Sequence, residues 1–564
     1  MISRTRLSIG IGVLLAATVT ATPVRAASGP SYTPVHVGPK DGGEPSSLAT
    51  NDGSLYVSYP GGSGTPTFRS TDNGVTWTPT ATADPASGDD CLASDGAGGL
   101  YICNLAGSAD AAPLQADVWK STDQGAHWTL AHGTSDQAPV APGSKSNAGA
   151  SSNPFGVDRQ WVDAWVPPGK SGTGQAEVVL NYHDFYGPSQ IWVNLSTDGG
   201  STFGAPIDVL ANPANNTTAR QNAVAAQAYS ACSTVPTAVD IVKTGQYAGR
   251  IWVAWIAADA PTSLATGCNV TQLDTFHSLW TAYSDDSGAT WTPELAFDGG
   301  VGHDASTPFA AFTLDNQGNP YYAFAMNIGN EYDMWMVWSN DGGTTWAGQG
   351  DLGAITSAGK PYKVSGDNGT HIYPAIAAGD PGHVDVAYLA TPSVVPTLPT
   401  GKFQPGGGAG DKWYLWVAQG DLTTPVPTWT RTQVNPTADP MHVGDICNLG
   451  IFCVDDLVNG AVGGVTGPVT VLGTNRDLLD FISIDLDQQG LAHVAYTDDN
   501  PDDKTNTLFG IDVANQTAGP SLFAAPAASV PETPLPLLLL PIGAVGAGVV
   551  AWRRRSRHAA PAIA

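Results

Sequence analysis

One octet, Ser-x-Asp-x-Gly-x-x-Trp/Phe, constrains this chain more than any other feature. It occurs as STDNGVTW (70–77), STDQGAHW (121–128), STDGGSTF (196–203), SDDSGATW (284–291) and SNDGGTTW (339–346). Ser and Asp side chains bond backbone N–H groups in tight turns, and the Gly tolerates the positive φ that hairpin turns demand. The aromatic residue ends the turn as an apolar plug that packs under a neighbouring sheet. The octet therefore predicts a hairpin tip, made five times. One or two carboxylates per copy are too few for a dedicated calcium site.

A second repeat runs out of phase with the first. Alternating, aromatic-rich strands stand at SLYVSY (54–59), GLYICNL (99–105), EVVLNY (177–182), RIWVAW (250–255), PYYAFAM (320–326), HVDVAY (383–388) and LAHVAY (491–496). Their period of two reads as β. Before each lies a run richer in small residues: EPSSLATND, DDCLASD, DRQWVDAWV, RQNAVAAQA, STPFAAFTLD, HIYPAIAAGD and LLDFISIDLD. Small residues suit the crowded innermost strand of a radial blade. Seven such units predict an all-β, seven-bladed β-propeller over about 31–520. The last unit is short by one strand, which SYTPVHV (31–37) can supply, closing the ring and removing exposed edges. Six blades plus an extra β-unit is the alternative.

The octet resembles the Asp box (BNR repeat) of sialidase-type β-propellers. DRQW (158–161) and HVGDICNLGIFC (442–453) are similar to stretches in exported, sialidase-like actinobacterial proteins. The resemblance implies that each box joins the two outer strands of a blade, away from the active face. It labels a fold more than a function, because the box also occurs in receptors and in proteins with no catalysis.

In a propeller, the starts of the inner strands converge at one mouth of the central channel. Those positions hold Glu44, Asp89, Asp90, Asp158, Arg159, Arg220, Gln221, His303, Asp304, His371, Tyr373, Arg476 and Asp477. Residues 27–533 contain only six Arg (69, 159, 220, 250, 431 and 476), and three of them stand here. A planar guanidinium matches a carboxylate bidentately, so Arg159, Arg220 and Arg476, with Asp158, are candidate ligand-binding residues. By the resemblance they correspond to the sialidase Arg triad, Tyr373 to the nucleophile, Glu44 to its activating carboxylate, and Asp90 or Asp158 to the acid. The family's Arg-Ile-Pro is absent, and EPSS stands at the first inner strand instead. The competing reading pairs each Arg with a nearby Asp to pin a strand end. His303, His371 and His442 fit no metal-ligand spacing, and no cofactor is expected. The run DDNPDD (498–503) reads as a solvated turn or a structural calcium loop.

The ends and the charge place the chain. Arg4 and Arg6, the apolar IGIGVLLAATV and the small-x-small site Val24-Arg25-Ala26 read as a signal peptide over 1–26. After a Pro/Ala linker (521–533), the uncharged run 534–552 is long enough to span a bilayer, and the basic tail 553–564 then stays cytoplasmic. The tail has the layout of a surface-sorting signal, but VPETP replaces the sortase motif. Between these ends, 16 basic side chains face 50 acidic ones, which disfavours nucleic acid. The mouth Arg residues and the sialidase resemblance imply carbohydrate or another anionic ligand as the partner of a monomer at the cell surface. Six cysteines in an exported chain predict neighbour pairing: Cys91 with Cys103, Cys232 with Cys268 and Cys447 with Cys453. Three functions stay open: a glycan-binding propeller, an exo-acting sialidase-type hydrolase and a structural surface module.

Overall fold

A computed structural model describes residues 29 to 523, except 39–41, 62–63, 84–87, 107–114, 134–139, 141–156, 185–190, 210–233, 258–275, 301–302, 306–308, 329–330, 348–360, 395–409, 445, 447–477 and 500–509. The signal peptide, most of the linker, the apolar run, the basic tail and four of the six cysteines lie outside the described residues. No helix among the described residues is long and apolar enough to cross a membrane.

Strand order shows a seven-bladed β-propeller of antiparallel sheets. Blade 1 begins with Ser46–Ala49, Leu55–Ser58 and Thr67–Ser70, and blade 2 with Asp90–Ser94, Leu100–Ala106 and Gln115–Ser121. The inner strands of blades 3 to 6 are Val157–Trp165, Thr234–Ile241, Ala311–Leu314 and Thr370–Ala378. Blade 7 joins Ser483–Leu486, Ala492–Asp498 and Gly510–Ala518 to the N-terminal Ser31–Val37, which pairs antiparallel with Gly510–Ala518. The chain's first strand thus closes the ring as expected. The hydrophobic core lies between neighbouring blades, where Trp252, Trp255, Trp291 and Trp413 are fully buried.

Six of the seven expected inner strands are present. The exception is blade 4: the expected RQNAVAAQA (220–228) lies outside the described residues, and Thr234–Ile241 (TVPTAVDI) is the inner strand. Pro236 hid this strand, because proline cannot donate to a ladder and ordinarily argues against a central strand. Here the pairing register shifts between Pro236 and Ala238, so the proline sits at a bulge.

All five octets are hairpin tips between the third and outer strands. In the first, the Ser70 hydroxyl accepts from Gly74 N–H at 2.9 Å and donates to Asp72, whose carboxylate takes the Thr76 N–H at 2.8 Å. Asn73 and Gly74 both have positive φ (60° and 80°), as a type I′ turn requires. A Cβ on Gly343 would also meet Trp252 at 2.2 Å, so the neighbouring blade demands glycine there independently. The inner turns carry a second, looser acidic motif. Asp315 accepts from Gln317 N–H (2.8 Å), Asn319 N–H (3.0 Å) and Tyr321 OH (2.9 Å), and Asp95 and Asp487 do likewise in blades 2 and 7. Cys91 and Cys103 face each other across blade 2 and form the expected disulfide.

Candidate functional site at the channel mouth

Inner strands enter the ring through an irregular backbone. Glu44, Arg159, Phe309, Tyr373 and Leu479 all have positive φ (52°, 53°, 100°, 59° and 56°) at the starts of five inner strands. Such conformations cost non-glycine residues about 1–3 kcal/mol each and gather at functional sites. In blades 3 and 6 the pairing register also shifts there, between Asp158 and Trp161 and between Ile372 and Ala375.

Arg159 is the centre of this region. Its side chain is 4% exposed, and its guanidinium lies 4.2 Å from the Phe309 ring centroid. One Nη donates to the Asp480 carboxylate, and the other lies 3.7 Å from Asp89. One side chain from blade 3 thus meets groups from blades 2, 5 and 7 across the axis. Beside it, the Tyr373 hydroxyl donates to the Leu479 carbonyl at 2.5 Å. Glu44 is buried at the start of blade 1. Asp90 is buried too and accepts the Ser58 hydroxyl, and burial pushes its carboxyl up to about 8, so it keeps its proton at neutral pH.

Behind the mouth runs a cavity of about 270 Å³ to which all seven inner strands contribute. Trp161, Phe309, Phe312, Tyr373 and Phe481 supply its aromatic wall, with the Trp161 and Phe481 rings 5.5 Å apart. Asp163 and Asp240 also line it. Asp163 accepts the Ile241 N–H (2.7 Å) and Lys243 Nζ (2.5 Å), and Asp485 accepts the Ala49 N–H (2.7 Å). These carboxylates stitch one inner strand to the next. Burial, with Asp163 adding to it, pushes the Asp240 carboxyl well up.

The histidines serve the scaffold. His303 bonds the Asn327 carbonyl at 3.0 Å and His442 bonds Asp499 at 2.6 Å. Burial disfavours a charge on His371, but Asp333 and Asp367 outweigh it and push the ring up to about 9. Among the described residues, no three His, Cys, Asp or Glu side chains stand together as a metal site.

Of the candidate residues, Arg159, Tyr373, Glu44 and Asp90 all lie at inner-strand starts. Arg220, Arg476 and the Asp158 side chain lie outside the described residues. Sequence reasoning missed Phe309, Leu479 and Asp480. Their signal was positional: each stands at an inner-strand start like the residues chosen, but without an obvious chemical role.

No protein-family model matches the chain. No curated protein matches it either. Among solved structures it is similar to a Dyadobacter fermentans protein of unknown function (13% identity, 87% of this chain and 98% of that one, TM-score 0.38). It is similar also to a Penicillium chrysogenum alpha-L-arabinanase (12%, 71% and 100%, TM-score 0.38) and a Streptococcus pneumoniae sialidase (12%, 84% and 68%, TM-score 0.35). Likenesses this distant carry no argument, and the propeller assignment rests on strand order alone.

Proposed function

We propose that the protein is an exported, membrane-anchored, glycan-binding propeller. Its ligand would sit at the inner-strand mouth, where Arg159 exchanges the Asp480 carboxylate for one on an acidic sugar. Arg159 itself carries this reading. A guanidinium from one blade is pressed on the ring of a second and paired with the carboxylate of a third, beside an aromatic-walled cavity. Asp480 stands where a ligand carboxylate would bind, and aromatic faces suit the apolar face of a sugar ring. Arg476, which precedes the inner strand of blade 7 in the sequence, and Arg220, in the connection that leads to Thr234–Ile241, would complete the clamp. Hydrolysis is a second reading, favoured by the placing of Tyr373 at the same mouth. It requires the hydroxyl to leave the Leu479 carbonyl for a carboxylate such as Glu44.

The two halves of the ion pair separate these ideas. Calorimetry with sialyllactose should show Arg159→Ala weakening binding by about 1.5–3 kcal/mol, the range for charge-assisted hydrogen bonds. Asp480→Asn should tighten binding, because it removes the internal competitor. If neither substitution changes affinity while both lower stability, the pair only pins strands. Equal affinity for lactose would sink the acidic ligand, and release from a fluorogenic sialoside decides hydrolysis.

A further inference from the structure

Both described ends of the propeller lie on the face opposite the mouth. The first strand pairs Ser31 with Ala518 and Val37 with Ile511, so it runs from the turn face towards the mouth. The chain then leaves blade 7 through residues that bind the inner turns. Leu522 N–H donates to the Gly490 carbonyl at 2.9 Å, and the Leu522 carbonyl accepts from Asp380 N–H at 3.0 Å. Leu522 is 2% exposed, so this exit is packed in place.

Only residues 524–533 separate this exit from the apolar run that begins at Pro534. Fully extended, such a segment reaches at most about 35 Å. The nine-residue inner strand Thr370–Ala378 alone gives the blade a height of about 30 Å. A propeller turned mouth-down would spend nearly the whole segment climbing its own side. The turn face also carries the octet carboxylates Asp72, Asp123, Asp198, Asp286 and Asp341, which repel anionic headgroups and keep that face from lying flat on lipid.

We infer that the protein stands on the membrane by its turn face and presents the channel mouth outward, to a ligand on another surface or in solution rather than to lipid of its own membrane. This rests on the proposed anchor at 534–552. The test uses the exported chain, 27–564, in phosphatidylcholine–phosphatidylglycerol vesicles carrying a headgroup acceptor dye. Donor dyes are placed singly through Val75→Cys and Val426→Cys on the turn face and Val394→Cys on the mouth face, where the valines are 65%, 65% and 49% exposed. Energy transfer should be several-fold greater from both turn-face sites than from the mouth-face site. Equal transfer from the two faces, or greater transfer from position 394, in protein that floats with the vesicles overturns the orientation alone. If the full chain floats no better than a chain ending at 533, the anchor fails and the orientation falls with it.

Discussion

The two faces of this propeller differ in how they were built. On the turn face, five near-identical octets repeat the same Ser hydroxyl to Gly N–H bond from blade to blade. On the mouth face several blades share a positive-φ strand start, but the side chains placed there differ from blade to blade. Arg159 crosses the axis, Tyr373 bonds a neighbour's carbonyl, and Glu44 and Asp90 are buried in separate blades. Repetition marks where the chain solves one packing problem many times. Irregularity marks where each blade is free to contribute something different, which is where a ligand site on a ring must be assembled.

This contrast can be broken most directly at an octet aromatic. Trp291 is fully buried, so Trp291→Ala should cost about 3–5 kcal/mol by transfer and cavity terms. Urea unfolding measures it, and a loss under about 1 kcal/mol would mean that the octet rings do not hold the blades together.

Two buried groups of blade 6 should titrate in successive windows. Asp385, buried in blade 6, is pushed up to about 7 by its burial, offset in part by Gln419. Between pH 4 and 7 the unfolded chain has lost this proton and the native one keeps it, so stability falls as pH rises, by up to about 1.4 kcal/mol per pH unit. His371 behaves differently. Its ring is raised to about 9, so its contribution is complete below about pH 6.5 and is lost as pH rises towards 9. Urea midpoints across pH should show two descents. Asp385→Asn should flatten the lower one and His371→Gln the upper; a single descent insensitive to both would show that neither group is coupled to folding.

A smaller effect is expected at the octet cap. Asp286 holds Thr290 through its N–H (2.8 Å) and its hydroxyl (2.7 Å), in a solvated turn. Asp286→Ala should cost about 1–2 kcal/mol, as lost turn bonds do. Smallest of all is Val75, which is 65% exposed in the first octet, where Val75→Ser should stay within about 0.5 kcal/mol. If Val75→Ser proved as costly as Asp286→Ala, the variable octet positions would be carrying structure and the contrast with the mouth would weaken.

The sequence by itself determined the blade unit. The octet, the alternating second strand and the turn glycines act through bonds spanning a few residues, so their pattern shows in the letters. It also determined which strand closes the ring, because an incomplete last blade and a spare first strand fit each other. It misplaced the inner strand of blade 4, where Pro236 sits at a bulge that only the neighbouring strand makes tolerable. Tertiary structure alone decided the mouth. Arg159 and Asp480 are 321 residues apart, and nothing local to either one specifies the other. Their meeting depends on seven blades closing with a particular radius and on positive φ at the strand starts. These are properties of the finished ring, which no window of the sequence contains.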